Sequence, residues 1–433
     1  MVSAPFEKNR FTECRGILRI SLDESSSPIV AARLGAVKPS ASIAAKARAD
    51  ALKAAGRSII DFTVGEPDFS TPAHIVEAGI QALKGGLTRY TPSAGIPALR
   101  KAIVDKLRRE NQLAFSEAEV VVGCGAKHII FNAFAASLNP GDEVIVPAPY
   151  WVSYPEMAVI HDGVPVIVDC PAEQGFKLAP EALEAAITPR TRWVVLNSPN
   201  NPTGAVYSAG ELAALGEVLA RHPHVWVLTD EIYEHFVYGD AKHVSLLNAA
   251  PGLKPRTLVI NGVSKAYAMT GWRIGYGAGP VELIKAITML ITQSTTCATA
   301  AAQAAAAEAL NGPQDSVREA ARTFEERCAH LVHRLNAIDG IECARPDGAF
   351  YVFASVRGLI GRTTSSGKEL LTDLDVAEYL REVGGVVTVD GTSYGLSPFL
   401  RFSFATSLAG IDRGCDAVAA AVAGLKLPVG EPA

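Results

Sequence analysis

An α/β fold is predicted by the alternation of strand and helix patterns along the sequence and by its length. Between residues 119 and 261, short apolar runs typical of buried strands alternate with helical patterns. Such alternation forms a mainly parallel sheet with helices on both faces. The chain has 433 residues, which is too many for one ordinary core. We therefore expect a large domain with a mainly parallel sheet and a smaller α+β domain.

The elements of the large domain follow from the spacing of apolar residues. Strands are predicted at 119–123, 143–147, 164–168, 192–196, 225–229 and 257–261. Helices are predicted between them at 126–138, 153–160, 179–187 and 208–220. Before this series we predict a loop and helix within 31–56, a strand at 59–64 and helices at 74–85 and 95–110.

The remainder of the chain carries the last predicted elements. Helices are expected at 281–310, 315–338, 374–382 and from 408, and strands near 341–344, 349–353 and 385–389. The predicted boundaries are 1–27 for an unassigned extension, 28–62 for the first part of the small domain, 63–314 for the large domain and 315–433 for the rest of the small domain.

Neither a targeting segment nor a membrane span is indicated. Residues 1–27 contain acidic residues and no uninterrupted apolar stretch, unlike a secretory signal or a transit peptide. The Ala-rich run 298–310 is too short to span a bilayer and contains Gln303 and Glu308. We predict no contact with a membrane.

Composition and charge narrow the class of protein. Hydrophobic residues make up 48% and charged residues 20%, as in folded soluble proteins. A net charge of -5 argues against a nucleic-acid surface. The 7 cysteines are scattered without metal spacing, which predicts reduced thiols and a cytoplasmic protein. His222 and His224 lie in a polar connector, where a loop is favoured over a metal site, so no metal is predicted.

Lys265 is the residue around which we organise the candidate site. It follows the apolar run 257–262 and lies among Ser, Ala, Tyr, Met and Trp residues, at the carboxyl end of a predicted strand. Partial loss of water disfavours the ammonium and leaves a nucleophilic amine that can bond to a carbonyl cofactor. Ser264 and Arg273 offer a hydroxyl and a guanidinium that suit a phosphate. Taken alone, a lysine is expected to be an exposed side chain beside a turn, and the residues around Lys265 reverse that expectation.

Other strand ends carry polar or aromatic groups. Asp230 ends a strongly apolar strand, where it is either a helix cap or the partner of a buried cation. Gly125 opens a Gly-containing turn before a helix, which is a turn or a phosphate cradle. Trp151 either packs in the core or stacks on something flat, and Asn201 lies in a rigid polar loop. Arg401 interrupts an aromatic strand and needs an anion, either a substrate carboxylate or an internal acid.

The strings Ser264-Lys265-Ala266 and Gly271-Trp272-Arg273-Ile274-Gly275-Tyr276 resemble the pyridoxal-phosphate lysine segment of class I aminotransferases. These are fold-type I enzymes, and the similarity extends from about Pro28 to the C-terminus. The resemblance implies a seven-stranded sheet and a homodimer with active sites at the interface. It also implies pyridoxal 5'-phosphate as the cofactor, with an amino acid and a 2-oxo acid as substrates.

The resemblance assigns roles to the cofactor residues. Lys265 would hold the cofactor and move the proton, Asp230 would pair with the ring nitrogen, and Tyr233 and Asn201 would contact the ring oxygen. Trp151 would stack on the ring. The phosphate would be bound by Gly125, Ala126, Lys127, Ser264 and Arg273, and by Tyr90 from the partner subunit.

The substrate residues are less defined. By resemblance, Arg401 and Gly65 would bind the α-carboxylate, with Trp151 and Asn201 beside them. In a prokaryotic-type subgroup of aspartate aminotransferases, residues matching Lys127 and Ser42 line the pocket for the side-chain carboxylate, which implies aspartate with 2-oxoglutarate. A phosphate or surface role for Lys127 stays open, as do aromatic amino acids or prephenate as substrates. A pyridoxal-dependent lyase could share the same cofactor residues.

Overall fold

The computed structural model describes residues 29–39 and 41–427, without the side chains of Ala32, Ala41 and Ser42. The extension predicted at 1–27 lies outside these residues. The strands are β1 (Ile60–Asp61), β2 (Val120–Gly123), β3 (Glu143–Ala148), β4 (Val164–Asp169), β5 (Thr191–Asn197), β6 (Trp226–Asp230), β7 (Thr257–Gly262), β8 (Gly275–Ala278), β9 (Tyr351–Ser355), β10 (Val386–Val387), β11 (Val389–Asp390) and β12 (Phe399–Ser403).

The α-helices lie between these strands and at both ends of the described chain. They are α1 (Ala41–Ala54), α2 (Ala73–Lys84), α3 (Pro97–Asn111), α4 (Ala126–Ser137), α5 (Ser153–Ile160), α6 (Pro180–Ala186), α7 (Ala209–Arg221), α8 (Leu246–Ala249), α9 (Val281–Ser294), α10 (Ala300–Asn311), α11 (Asp315–Asn336), α12 (Asp373–Val383) and α13 (Leu408–Ala423). None of the described helices is both long enough and apolar enough to cross a membrane.

A seven-stranded sheet forms the centre of the described chain, in the order β2-β8-β7-β6-β5-β3-β4. Strand β8 pairs antiparallel with β2 and β7, and the other neighbours pair in parallel. The predicted α/β class with a mainly parallel sheet is therefore confirmed. Because β2, β3, β5, β6 and β7 all point the same way, their carboxyl ends meet at one edge.

Both faces of this sheet are covered except at the edge strand β4, which explains why its central strands are mainly apolar. In β5, Trp193 and Val195 pack into a core with α4, α5 and α9, whereas Val194 and Leu196 pack into a core with α3, α7 and α10. Successive side chains of a strand point to opposite faces, so a strand covered on both sides needs apolar residues at every position.

Smaller sheets accompany α11, α12 and α13. Strand β1 pairs in parallel with β10, and β12 pairs antiparallel with β9 and β11. Their shared core includes Phe324, Phe350 and Phe402. The pairing of β1 with β10 supports the predicted assignment of residues 28–62 and 315–433 to one smaller domain, which stays a proposal.

Two predicted elements of this region are wrong. The helix expected at 281–310 is divided into α9 and α10, because Thr296 between them adopts a left-handed conformation with φ of 64°. β-Branched residues disfavour a continuing helix at such a point. The strand expected near 341–344 is reduced to one bridge between Glu342 and Ser355. The segments 59–64 and 385–389 form only the short strands β1, β10 and β11.

Strand β8 was not predicted, because its sequence Gly275-Tyr276-Gly277-Ala278 has little strand propensity. Glycine is required there for packing. A Cβ atom at Gly275 would lie 2.1 Å from the amide nitrogen of Ala126, and one at Gly277 would lie 2.8 Å from Cγ2 of Ile129. These glycines allow the first turns of α4 to lie against the sheet.

We expect Gly275→Ala to lower the free energy of unfolding by about 1 to 3 kcal/mol, because the added methyl group overpacks a backbone contact. Denaturant unfolding monitored by circular dichroism measures this change. Gly210→Ala is the matched control, since Gly210 has open space within 4 Å and lies in α7. It should leave stability unchanged or raise it by up to about 1 kcal/mol. Equal stability of the Gly275→Ala variant and the parent would contradict the packing argument.

Candidate active site

The candidate residues converge at the carboxyl edge of the seven-stranded sheet. Asp230 is the last residue of β6, and Lys265 follows the end of β7. Asn201 follows β5, Trp151 follows β3, and Gly125 follows β2. Their separate positions in the sequence therefore become one region of the fold.

Lys265 is half-buried, and its Nζ atom donates a hydrogen bond of 2.6 Å to the carbonyl oxygen of Gly65. The amine lies 5.9 Å from the ring centroids of both Tyr233 and Phe350. Burial among these groups lowers the pKa of Lys265 to about 8. A substantial fraction of neutral, nucleophilic amine is therefore present near neutral pH.

Asp230 is a buried acid held by donors from other elements. The hydroxyl of Tyr154 donates to its Oδ2 atom at 2.8 Å, and the amide of Ile232 donates to Oδ1 at 3.2 Å. Burial raises the pKa of Asp230 to about 6, although the hydrogen bond from Tyr154 favours the ionised form. A cationic partner in the site would stabilise this carboxylate further. Asp230 lies in the last position of a strand and is not the cap of an α-helix.

The loop after β5 is fixed by its own amide side chains. Asn197 Nδ2 donates to the carbonyl oxygen of Asp230 at 2.9 Å, and Asn197 Oδ1 accepts the amide of Asn201 at 2.9 Å. The Oδ1 atom of Asn201 accepts a hydrogen bond of 3.1 Å from Arg401. Asn201 is consequently held between Asn197 and the arginine of the site.

Arg401 carries a buried positive charge, and only 2% of the residue is exposed. Its Nη2 atom donates to the carbonyl oxygen of Thr63 at 2.8 Å, and its guanidinium lies 4.4 Å from the ring of Tyr351. Its Nε atom has no hydrogen-bond partner among the described residues. The partners of Arg401 are neutral oxygen atoms, so the charge is available to an anion and the alternative of an internal salt bridge is not supported.

Tyr233 and Tyr351 form a pair of buried phenols between Lys265 and Arg401. Their hydroxyl oxygens are 3.1 Å apart. Burial raises the pKa of Tyr233 well above its usual range, so the phenol stays protonated and can donate. A Cβ atom at Gly65 would lie 3.5 Å from the hydroxyl of Tyr351, which places the Gly65 backbone beside the same pair.

An anion cradle lies at the N-terminus of α4. Gly125 has φ of 89°, and a Cβ atom there would lie 2.5 Å from Nη2 of Arg273. Arg273 donates to the carbonyl oxygens of Thr270 at 2.7 Å and Cys124 at 3.2 Å, which holds its guanidinium at this end of the helix. The first amides of α4, beginning with Ala126, have no partner within the helix. Guanidinium and free amides together suit a phosphate.

Lys127 and Trp151 contact each other at the rim of the site. The ammonium of Lys127 lies 4.7 Å from the centroid of the Trp151 ring. Although Lys127 is exposed, its surroundings displace part of the water around the ammonium, and together with the charge of Arg273 they lower its pKa. Trp151 is half-buried and packs edge-on against Tyr154 at 5.2 Å. Both residues stay available to a ligand.

Three predicted residues are less closely tied to this arrangement. Ser264, directly before Lys265 in the chain, is buried. The side chain of Tyr90 is 87% exposed, so it does not pack into the site of its own chain. Ser42 belongs to α1, but its side chain lies outside the described part of the structure.

The sequence did not identify Tyr154, Asn197, Thr63 or Tyr351 as site residues. Tyr351 is the first residue of β9, and its hydroxyl lies beside that of Tyr233. The need of the buried Asp230 for a hydrogen-bond donor was the available signal for Tyr154. The burial of Asp230 predicts that some donor is present, but it does not identify the residue.

Two groups of acids and histidines among the described residues have metal-like spacing, namely Glu110, Glu234 and His235, and Glu231, Glu234 and His243. Glu234 belongs to both groups but is already paired with the ammonium of Lys106. His222 contacts Glu184 and His224 contacts a backbone carbonyl in the connector after α7. None of these arrangements leaves a set of free ligands.

Comparison with known proteins agrees with this geometry. The family model "Aminotransferase class I and II" matches residues 57–418. The aspartate aminotransferase of Rhizobium meliloti strain 1021 is 51% identical over 391 residues, covering 90% of this chain and 95% of the relative. The probable aspartate/prephenate aminotransferase of Rhizobium leguminosarum bv. phaseoli is 53% identical over 382 residues, covering 88% and 96%.

Solved structures give the same result. The Rhizobium meliloti aspartate aminotransferase superposes with a TM-score of 0.90 at 51% identity, covering 92% of this chain and 99% of that one. The Thermus thermophilus aspartate aminotransferase with maleate has a TM-score of 0.85 at 42% identity, covering 90% and 99%. The sequence match and the shared fold together show that this chain belongs to the class I and II aminotransferase family.

Proposed function

We propose that this aminotransferase binds pyridoxal 5'-phosphate through Lys265 and moves an amino group from L-aspartate to 2-oxoglutarate in two alternating half-reactions. The observation that carries the proposal is a partly desolvated lysine amine at one sheet edge with a buried acid, Asp230, and a buried guanidinium, Arg401. Separate groups are thus available for the cofactor aldehyde, the cofactor ring and the substrate carboxylate.

The residues present fit this cofactor. Arg273 and the N-terminus of α4 suit its phosphate, with Gly125, Ala126, Lys127 and Ser264 around them. When bound, the cofactor supplies an electrophilic aldehyde and an electron-withdrawing ring. Asp230 would hold the proton on the ring nitrogen, and Tyr154 orients that carboxylate. Trp151 would cover one face of the ring, and Asn201 and Tyr233 would donate to its oxygen.

Lys265 has two roles in this proposal. The first is to hold the cofactor, whose aldehyde would supply a reversible attachment point for an amine. The second is that Nζ, once free, would take up and carry the proton released from the α-carbon of the substrate. A pKa of about 8 suits both roles, because the amine is easily deprotonated and still a sufficient base.

Arg401 fixes the substrate for this proton transfer. Its guanidinium is held by Asn201 and Thr63 and backed by Tyr351, so its direction is set before substrate binds. An α-carboxylate would satisfy the unpartnered Nε side and contribute about 1.5 to 3 kcal/mol as a charge-assisted hydrogen bond. Gly65 lies beside the same position and offers a backbone group to the carboxylate.

Aspartate is favoured as the donor by the relatives and by Lys127. Relatives at about half identity are named for aspartate, and the Thermus thermophilus structure contains maleate, a dicarboxylate. Lys127 offers a second positive charge at the rim of the site, 4.7 Å from the Trp151 ring. We assign Lys127, with Ser42, to the side-chain carboxylate.

Prephenate or aromatic substrates form the second candidate. Several relatives are named aspartate/prephenate aminotransferases. Beside Trp151, a cluster of aromatic side chains packs behind the arginine, with the ring of Tyr394 5.3 Å from the Arg401 guanidinium. The partly exposed ring of Trp151 at the edge of this cluster offers a surface to a substrate ring.

We further propose a cytoplasmic homodimer in which Tyr90 contacts the phosphate site of the partner subunit. Support comes from the 87% exposure of Tyr90, which is a large side chain to leave in water. The cysteines in the described part of the chain are free thiols, which agrees with a reducing compartment.

Replacing Lys265 by Ala should lower the rate of amino transfer roughly 10³-fold or more, because both the covalent link and the base are lost. The rate is measured by coupled assay with aspartate and 2-oxoglutarate, and cofactor attachment by mass spectrometry after borohydride reduction. Lys285→Ala, at an exposed position on α9, is the control and should keep full activity. Amino transfer that persists in Lys265→Ala at the parent rate would refute the assignment.

The reactivity of Lys265 in the cofactor-free protein should rise with pH through a midpoint of about 8. Burial disfavours its charged form, and only the neutral amine attacks an acylating reagent, so labelling increases as the proton is lost. Peptide mass spectrometry after brief labelling at each pH gives the profile. The exposed Lys285 in the same samples is the comparison. A Lys265 profile that coincides with that of Lys285 would show that desolvation does not tune this amine.

Lys127→Ala tests the choice of substrate. We expect the KM for aspartate to rise roughly tenfold, because a charge-assisted contact is lost, while the KM for phenylalanine changes little. Steady-state kinetics with both donors measure the two values, and Lys127→Arg should keep the preference because it keeps the charge. An unchanged preference for aspartate over phenylalanine in Lys127→Ala would exclude the acidic-pocket role.

A further inference from the structure

The turn after β6 carries acids that point away from the proposed cofactor site. Asp230 and Tyr233 belong to the site, whereas Glu231 and Glu234 in the same turn are 1% and 7% exposed and lie in other contacts. A buried carboxylate is costly unless it is paired and hydrogen-bonded. The contacts of these two acids therefore show what the turn is attached to.

Glu234 is the centre of a buried polar network. Its carboxylate forms an ion pair with Lys106, which is 0% exposed. It also accepts hydrogen bonds from Asn111 at 2.5 Å and Asn261 at 2.8 Å. Lys106 donates in addition to Asn111 at 2.7 Å. Burial opposes ionisation of Glu234, but the nearby positive charge of Lys106 outweighs it and lowers the pKa far below its usual range.

Asn261 connects this network to the segment that carries Lys265. It lies near the end of β7, and its Oδ1 atom accepts the amide of Gly262 at 2.7 Å while its amide nitrogen bonds to Glu234. Lys265 lies three residues after Gly262 in the chain. The Glu234 carboxylate therefore ties the turn bearing Tyr233 to the strand end that leads to the reactive amine.

Glu231 reinforces the same connection. Its amide donates to the carbonyl oxygen of Ile260 in β7 at 2.9 Å. Its carboxylate accepts from Ser245 at 2.6 Å and Thr229 at 3.1 Å, and it contacts His243 at 3.2 Å. Backbone and side-chain bonds thus join the two active-site segments from the side opposite the proposed cofactor.

We propose that Lys106, Asn111, Glu234 and Asn261 are positioning residues that set the distance between the Tyr233 turn and the Lys265 segment for amino transfer. The inference rests on the proposed function of Lys265 and Tyr233. Apolar side chains of similar volume stabilise a core as well as a buried ion pair does, but they lack its directional bonds. Misplacement of reacting groups by about 1 Å can cost roughly 10²-fold in rate.

Two substitutions test this network. Glu234→Gln removes the charge and keeps the shape. Asn261→Leu removes the bonds of Asn261 to Glu234 and to the Gly262 amide while leaving the ion pair with Lys106. In each we expect kcat to fall roughly ten- to hundredfold, with KM for aspartate within about threefold of the parent. Asn261→Leu gives the decisive result if Glu234→Gln does not fold, because it introduces no unpaired charge.

Glu143→Gln is the matched control. Glu143 is also a buried carboxylate, 5% exposed, bonded to Arg190 and Thr188 at 2.5 Å each, but it begins β3 at the opposite edge of the sheet. In Glu143→Gln we expect the melting temperature to fall while kcat stays at the parent value. If all three variants lose kcat to the same extent, or if Glu234→Gln and Asn261→Leu both keep kcat within about twofold, the network has no positioning role.

Hydrogen exchange in the cofactor-free protein gives a readout independent of activity. In both network variants, amides in segments 229–236 and 258–266 should exchange about tenfold faster, while those of β3 and β4 stay unchanged. Uniform acceleration or no local change would overturn the proposal. If the parent protein transfers amino groups and both network variants do so at the same kcat, this inference alone is refuted. If Lys265→Ala still transfers amino groups at the parent rate, the proposed function is refuted.

Discussion

The parallel register of β5, β6 and β7 is the constraint on which the site depends. Asn197 pairs with Asp230 in the ladder between β5 and β6, and Asp230 pairs with Ile260 in the ladder between β6 and β7. Backbone hydrogen bonds thereby place the ends of these strands side by side. The loop with Asn201 and the segment with Lys265 must then leave the sheet at the same edge.

The charges at this edge are unequal, and the inequality explains its chemistry. Lys127, Lys265, Arg273 and Arg401 bring positive charge, against the buried acid Asp230 and the exposed acid Glu66. Such a site attracts anions, and it keeps Arg401 without a carboxylate partner among the described residues. A phosphate and substrate carboxylates would balance the charge. The positive charges repel one another, and a bound anion relieves this repulsion, so the site favours anionic ligands.

Negative charge is kept on the other side of the same turn. Glu231 and Glu234 lie next in sequence to the site residues Asp230 and Tyr233, but their carboxylates are bonded within the core, mainly to Lys106, Ser245 and amide side chains. Side chains of this turn therefore point in two directions, and they belong to two separate polar groups. One side presents an acid to a ligand, and the other anchors the backbone that carries it.

The sequence by itself determined the class of fold, most of the strand ends and the charged residues that lie there. Apolar runs covered on both faces are visible locally, and Lys265, Asp230 and Arg401 stand out because charge is costly at such positions. Only the tertiary structure decided the bonds of Tyr154 with Asp230 and of Arg401 with Asn201, and the insertion of β8. These contacts join residues far apart in the chain. Their geometry depends on how whole elements pack, which no local pattern encodes.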